Sequence, residues 1–312
     1  MRHHLLAALV TAPLITFGVG TGPATADSVP ALDVPAAVHA PAAVPAPVPA
    51  PAAVPAPAAV PAAPAAGSGA VHYAALGDSF ASGSGAGNYD PFSGLCRRSG
   101  NSHPILWARN HRPDSFEYDA CGGAVTEDVV KNQIPDALDD NTTVVTLTIG
   151  GNDADFESAI VKCVVVDSDP DECNRVLDRS GRFIDQVLPG KLAWTYGAIS
   201  ESAPQAKVFV TGYPHLFELG RSLGCGVAEW RRQRMNLLVD HLNTVIEEQA
   251  EKSGFRYVDV SAAFAGHGVC APGGIQREWV NRIVPTDAWQ SYHPNKRGQY
   301  WGYLPAVTAA IG

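Results

Sequence analysis

The sequence predicts an α/β fold in which helices cover both faces of a parallel sheet. Three observations carry that expectation. Short β-rich runs recur through the C-terminal four-fifths of the chain, helical patterns separate them, and glycine-rich or polar clusters follow several of the runs directly. The runs are residues 71–76, 143–149, 207–211 and 255–260, each bounded by glycine, proline or polar residues. The clearest helical pattern covers residues 228–252. Met235, Leu238, Val239, Leu242, Val245 and Ile246 form one apolar stripe there, with Gly254 as the stop. A second helix is expected over residues 181–202, bent at Pro189 and ended by Pro204.

The N-terminal part is different material. Arg2, His3 and His4 precede a largely apolar stretch, and Ala24-Thr25-Ala26 offers small residues before a cleavage point, so residues 1–26 read as a signal peptide. Residues 27–68 hold 11 of the 25 prolines in Ala-Pro and Val-Pro repeats with almost no charge. Proline donates no backbone hydrogen bond and keeps its neighbours extended, so this tract reads as a linker, ahead of a wall-spanning or glycosylated stalk. Residues 69–312 then suffice for one core. The protein is expected outside the cell, with cell-wall association through the proline-rich tract as the variant of that reading.

Charge excludes some partners. The net charge is −9 and no basic run occurs, which argues against nucleic acid and anionic membrane surfaces. No later stretch is apolar for long enough to span a bilayer. Cys96, Cys121, Cys163, Cys173, Cys225 and Cys270 are an even set in an exported chain and read as disulfides; nearest-neighbour pairing is the simplest of 15 possibilities. There is no Cys-x-x-Cys or His-Glu-x-x-His, so no metal or other cofactor is expected. The acidic stretch 167–172 lacks the glycine and spacing of a calcium loop and reads as solvated.

The informative residues lie at the ends of the runs. Ser79, in Gly77-Asp78-Ser79-Phe80, follows the first run and opens a small-residue loop, where a helix N-terminus can stabilise an anion. A nucleophilic serine needs a base, a partner that orients the base, and donors for the oxyanion. Gly150-Gly151-Asn152-Asp153 follows the second run, and an asparagine amide can donate to an oxyanion without carrying charge. His293, followed by Pro294 in a C-terminal loop, is the histidine best placed as base; His241 lies within the long helix and reads as structural. Gly220-Arg221-Ser222-Leu223-Gly224 fits the Gly-x-Ser-x-Gly pattern, but no strand leads directly into it, so Ser222 is a decoy.

With these pieces in order, the chain resembles the SGNH, or GDSL-type, hydrolase superfamily, and more narrowly its secreted bacterial lipases and esterases with three disulfides. The resemblance rests on residues 73–80, Ala120-Cys121-Gly122-Gly123-Ala124, residues 149–153, Gly212-Tyr213-Pro214 and Tyr292-His293-Pro294. It implies a three-layer α/β/α sandwich with a central parallel sheet of the flavodoxin-like kind. It implies Ser79 as nucleophile and His293 as general base and acid. The oxyanion donors it implies are the backbone N–H of Ser79, the backbone N–H of Gly123 and the Asn152 side chain. Disulfide pairing in nearest-neighbour order is implied as well. One departure stands out, because the family's usual aspartate three residues before the histidine is Gln290 here. Related members without it orient the imidazole through a main-chain carbonyl, so the carbonyl of Gln290 or Ser291 is expected at His293, with Asp287 as the alternative.

The expected reaction is two-step acyl transfer from a carboxylic ester, with a fatty-acyl ester as the leading substrate and a monomer as the working unit. A phospholipase A-type activity and a carbohydrate acetyl esterase are the enzymatic alternatives. A catalytically dead binding module is the reading from another class.

Overall fold

In a computed structural model of the chain, residues 69–312 are described, apart from 167 and 221–223. The signal peptide, the linker and Ser222 therefore lie outside the described residues. Five parallel strands form one sheet: β1 (His72–Gly77), β2 (Ser115–Tyr118), β3 (Val144–Thr148), β4 (Lys207–Thr211) and β5 (Arg256–Val258). Their order is β2-β1-β3-β4-β5. The chain steps one way from β1 to β2, then returns to the other side of β1 for β3. That reversal is a topological switch point, and the carboxyl ends of β1 and β3 flank it.

Alternation along the strands feeds two cores. Ala74, Leu76, Val145, Leu147, Val208 and Val210 point to one face and pack with Ile184, Leu188, Leu192, Leu242 and Ile246. Tyr73, Ala75, Val144 and Phe209 point to the other, against Trp107, Leu304 and Val307. Helices Pro170–Gln186, Leu188–Ser202 and Glu229–Lys252 supply the first layer, and His103–His111 with Leu304–Ile311 supply the second. The result is an α/β/α sandwich.

Two expectations need correction. The helix expected over residues 181–202 is two helices parted at Val187, because Pro189 supplies no N–H to continue the ladder and instead occupies the start of a new helix. The first of them begins at Pro170, with the Asp169 carboxylate accepting from the N–H groups of Asp171 and Glu172. Much of the acidic stretch, residues 169–172, is thus a capped first helical turn rather than a solvated loop. The strand β2 was not among the expected runs; it lies at the sheet edge and is only half-buried, so its Ser-Phe-Glu-Tyr sequence carries little apolar signal.

The cysteines pair as Cys96–Cys121, Cys163–Cys173 and Cys225–Cys270. Among the described residues no helix is long and apolar enough to cross a membrane.

Candidate active site

Ser79 is placed by a sharp turn at the carboxyl end of β1. Gly77 sits at φ 128°, and a Cβ there would lie 2.3 Å from the Thr148 carbonyl oxygen of β3. Only glycine fits. The buried Gln133 side chain clamps this residue from both sides, accepting from its N–H at 2.8 Å and donating to its carbonyl at 2.9 Å. Asp78 then caps the one-turn helix Ser79–Ser82, its Oδ1 accepting from the Phe80 N–H at 2.9 Å. The cap leaves the Ser79 hydroxyl at the first position of the turn.

His293 reaches the same point from the C-terminal loop. Its Nε2 lies 2.7 Å from Ser79 Oγ, and its Nδ1 lies 3.0 Å from the Ser291 carbonyl oxygen. A carbonyl can only accept, so Nδ1 carries the proton and Nε2 is left to accept from the serine hydroxyl. Tyr292 between them adopts φ 59°, a left-handed conformation unusual for a bulky residue. Backbone bonds to Asn281 hold that shape: Tyr292 N–H to the Asn281 carbonyl at 3.0 Å and Asn281 N–H to the His293 carbonyl at 2.9 Å. Of the carbonyls proposed from sequence, Ser291's is the one at the imidazole. The Gln290 carbonyl accepts from the Asn281 amide at 3.2 Å, and its side chain accepts from the Tyr89 hydroxyl at 3.0 Å. The Asp287 carboxylate accepts from the Thr286 hydroxyl at 3.2 Å. Enclosure in the site drives the His293 imidazole down to about 4; the Ser291 carbonyl opposes the shift and the Arg97 charge adds to it. The ring is therefore neutral, and able to accept a proton, across neutral pH.

Gly123 and Asn152 line the same cavity as Ser79, Ser291 and His293. The Asn152 amide donates one hydrogen to the Ala124 carbonyl at 2.9 Å, which ties the loop after β3 to the one after β2. Asp153 strengthens that tie, accepting from the Thr126 N–H and hydroxyl at 2.9 and 2.7 Å.

Beneath these groups lies a pair that residue-by-residue reading of the sequence left without a role. The Tyr213 hydroxyl donates to Asp78 Oδ2 at 2.5 Å and accepts from the Gly151 N–H at 3.1 Å. One phenol thus joins the turns after β1, β3 and β4. Burial pushes the Asp78 carboxyl up to about 7, against the bonds from Tyr213 and Phe80 that favour its ionised form. The signal for this pair was present, since both residues lie inside motifs that carry the resemblance.

The cavity itself has a volume of about 460 Å³. Phe156, Ile160, Val161, Leu216, Val239 and Leu242 give it an apolar wall, and Arg97, over the Trp289 ring, brings a cation to the lining. Other histidines are engaged elsewhere: His215 pairs with Asp240, His241 with Asp185, and His103 with Gln299. No group of three or more His, Cys, Asp or Glu side chains is arranged around a possible ion among the described residues.

Comparison with known proteins gives the family. The profile of the GDSL-like lipase/acylhydrolase family matches residues 75–301. Lipase 1 of Streptomyces coelicolor is 41% identical over 247 residues, covering 79% of this chain and 88% of that one. Two solved structures superpose closely. Phospholipase A1 from Streptomyces albidoflavus is 40% identical with a TM-score of 0.73, covering 77% of this chain and 99% of its own. An extracellular lipase from Streptomyces rimosus is 39% identical with a TM-score of 0.73, covering 78% and 100%. Three disulfides suit an oxidising compartment outside the cytoplasm. A strand-end serine turn, a parallel sheet with its switch point at that turn, and likeness over most of the chain agree: the protein belongs to the GDSL-like lipase/acylhydrolase family and is a carboxylic ester hydrolase.

Proposed function

We propose that the protein is an exported lipid acyl-ester hydrolase working through a Ser79–His293 dyad. The observation that carries this reading is the 2.7 Å contact between Ser79 Oγ and His293 Nε2, with the Ser291 carbonyl on the far ring nitrogen. Ser79 attacks the ester carbonyl while Nε2 takes its proton. The oxyanion that forms is held by the backbone N–H groups of Ser79 and Gly123 and by the Asn152 amide, where loss of one donor typically costs about 10²–10³ in rate. The imidazolium then protonates the leaving alcohol, the acyl-enzyme remains on Ser79, and His293 activates water to release the acid. The carbonyl partner fixes the tautomer, although it stabilises imidazolium less than a carboxylate would.

The apolar wall supports a fatty-acyl group as the acid part. Relatives named lipase and phospholipase A1 point to lipids. The signal peptide read over residues 1–26 supports export, and the linker read over 27–68 leaves residues 69–312 as the catalytic part, with cell-wall association as the variant of that reading.

Ser79→Ala should reduce turnover of p-nitrophenyl esters by several orders of magnitude and abolish labelling by a fluorophosphonate. Turnover near the parent rate would remove the assignment, and an unlabelled parent protein would favour a binding module.

A further inference from the structure

Arg97 is the one lysine or arginine among the described residues that line the cavity. Its neighbour Arg98 is spent on structure, donating to the Asp119 carboxylate at 2.9 Å and to the Ala120 carbonyl at 3.1 Å. Arg175, Arg179, Arg234 and Arg282 likewise have carboxylate partners. Arg97 has none among the described residues. Its guanidinium instead lies over the Trp289 ring, 4.2 Å from the centroid, and Trp289 also lines the cavity. The remaining charged side chains of the lining are Asp78, bound to Tyr213, and Glu157.

Stacking on an indole occupies a face of the guanidinium and leaves its edge, where the N–H donors lie, for an anion in the same plane. The backbone pre-sets this placement. Arg97 itself ends a short helical segment, Pro91–Cys96, in the left-handed conformation at φ 53°. Cys96, one residue before, is bonded to Cys121 and accepts from the Gly122 N–H at 3.0 Å. The cation is thus held on the wall of the site that carries Gly122 and Gly123.

A neutral triacylglycerol closing over Arg97 would strip water from a charge and return nothing, which is unfavourable. A glycerophospholipid carries a permanently charged phosphodiester on the same glycerol as its acyl esters. Its phosphate oxygens match the guanidinium edge in pairs. Building on the ester-hydrolase reading above, we propose that Arg97, set on Trp289, binds the phosphate of a glycerophospholipid whose acyl ester lies at Ser79, and so makes phospholipids the preferred lipid class.

The test compares two soluble hexanoyl esters at pH 8, dihexanoylphosphatidylcholine below its micelle concentration and p-nitrophenyl hexanoate, so that surface binding plays no part. Arg97→Gln should lower kcat/KM for the phospholipid roughly 10- to 100-fold, mainly through KM, the range expected when a charged hydrogen bond is lost. Because Arg97 also acts on the His293 charge, the readout is the ratio of the two kcat/KM values. Any change through the base moves both esters alike, and the phospholipid should fall by that factor beyond the nitrophenyl ester. Arg97→Lys should recover part of the loss, since it keeps the charge without the fork. An equal fall on both esters, or no fall on the phospholipid, overturns the proposal. Inorganic phosphate added against the nitrophenyl ester separates the sources of the anion. Inhibition that disappears in Arg97→Gln, alongside the phospholipid loss, supports the site; inhibition with the phospholipid rate unchanged marks a bare anion site and overturns it. Either failure leaves nitrophenyl turnover by Ser79 standing, so it is distinguishable from failure of the ester-hydrolase reading.

Discussion

A main-chain carbonyl can orient a histidine and fix its tautomer, but it contributes no charge. His293 has only the Ser291 carbonyl on Nδ1, while enclosure and Arg97 both disfavour its cationic form. A folded-state value of about 4, below the ordinary 6.5, keeps the imidazole neutral as pH falls through the weakly acidic range. NMR titration of the His293 ring, identified by its loss in His293→Gln, should give a midpoint well below 6.5; a midpoint at or above that value refutes the account. At this scale the sequence was partly legible. Ser79, Asn152 and His293 sit at strand ends or in a loop, where a motif shows itself. Choosing Ser291 over Gln290 or Asp287 depended on the left-handed turn at Tyr292, which no residue type announces. The bond from Tyr213 to Asp78 spans 135 positions, and neither residue reveals the other.

Among the elements, the turn after β1 tolerates least change. An alanine at Gly77 would press its methyl against the Thr148 carbonyl at 2.3 Å while forcing a side chain into φ 128°. The neighbour is backbone in an adjacent strand, so relief requires parting β1 from β3. Gly77→Ala should cost upwards of about 3 kcal/mol, seen as a fall of roughly 10 °C in thermal midpoint for a domain of this size, with loss of turnover. A melting curve matching the parent would refute the packing argument. Central strands read well from sequence because both faces are buried and the apolar run is continuous. The edge strand β2 did not, and the helix break at Val187 was misplaced because Pro189 serves as a helix opener as readily as a kink.

At the scale of the whole chain, the family match begins at residue 75, and the solved relatives cover 77–78% of the chain. The division proposed at residue 68 is a matter for truncation. A protein starting at Ser68 should melt within a few degrees of the longer chain and turn over nitrophenyl esters at the same rate, as calorimetry and a standard esterase assay would show. A clear loss of either would assign residues 27–68 a part in the fold. The alternation of strand and helix made the sandwich readable from sequence, since few topologies satisfy it.

The bond between Cys96 and Cys121 has a consequence for when the two edges of the cavity are joined. It joins the segment bearing Arg97 covalently to the turn bearing Gly123, beside the bond from the Gly122 N–H to the Cys96 carbonyl. A copy with reduced cysteines would keep Ser79 on its glycine turn and His293 on its bonds to Asn281, but would lack the covalent tie between the Arg97 and Gly123 segments. That tie would form only where thiols oxidise, so the cavity's two edges would be covalently joined outside the cytoplasm.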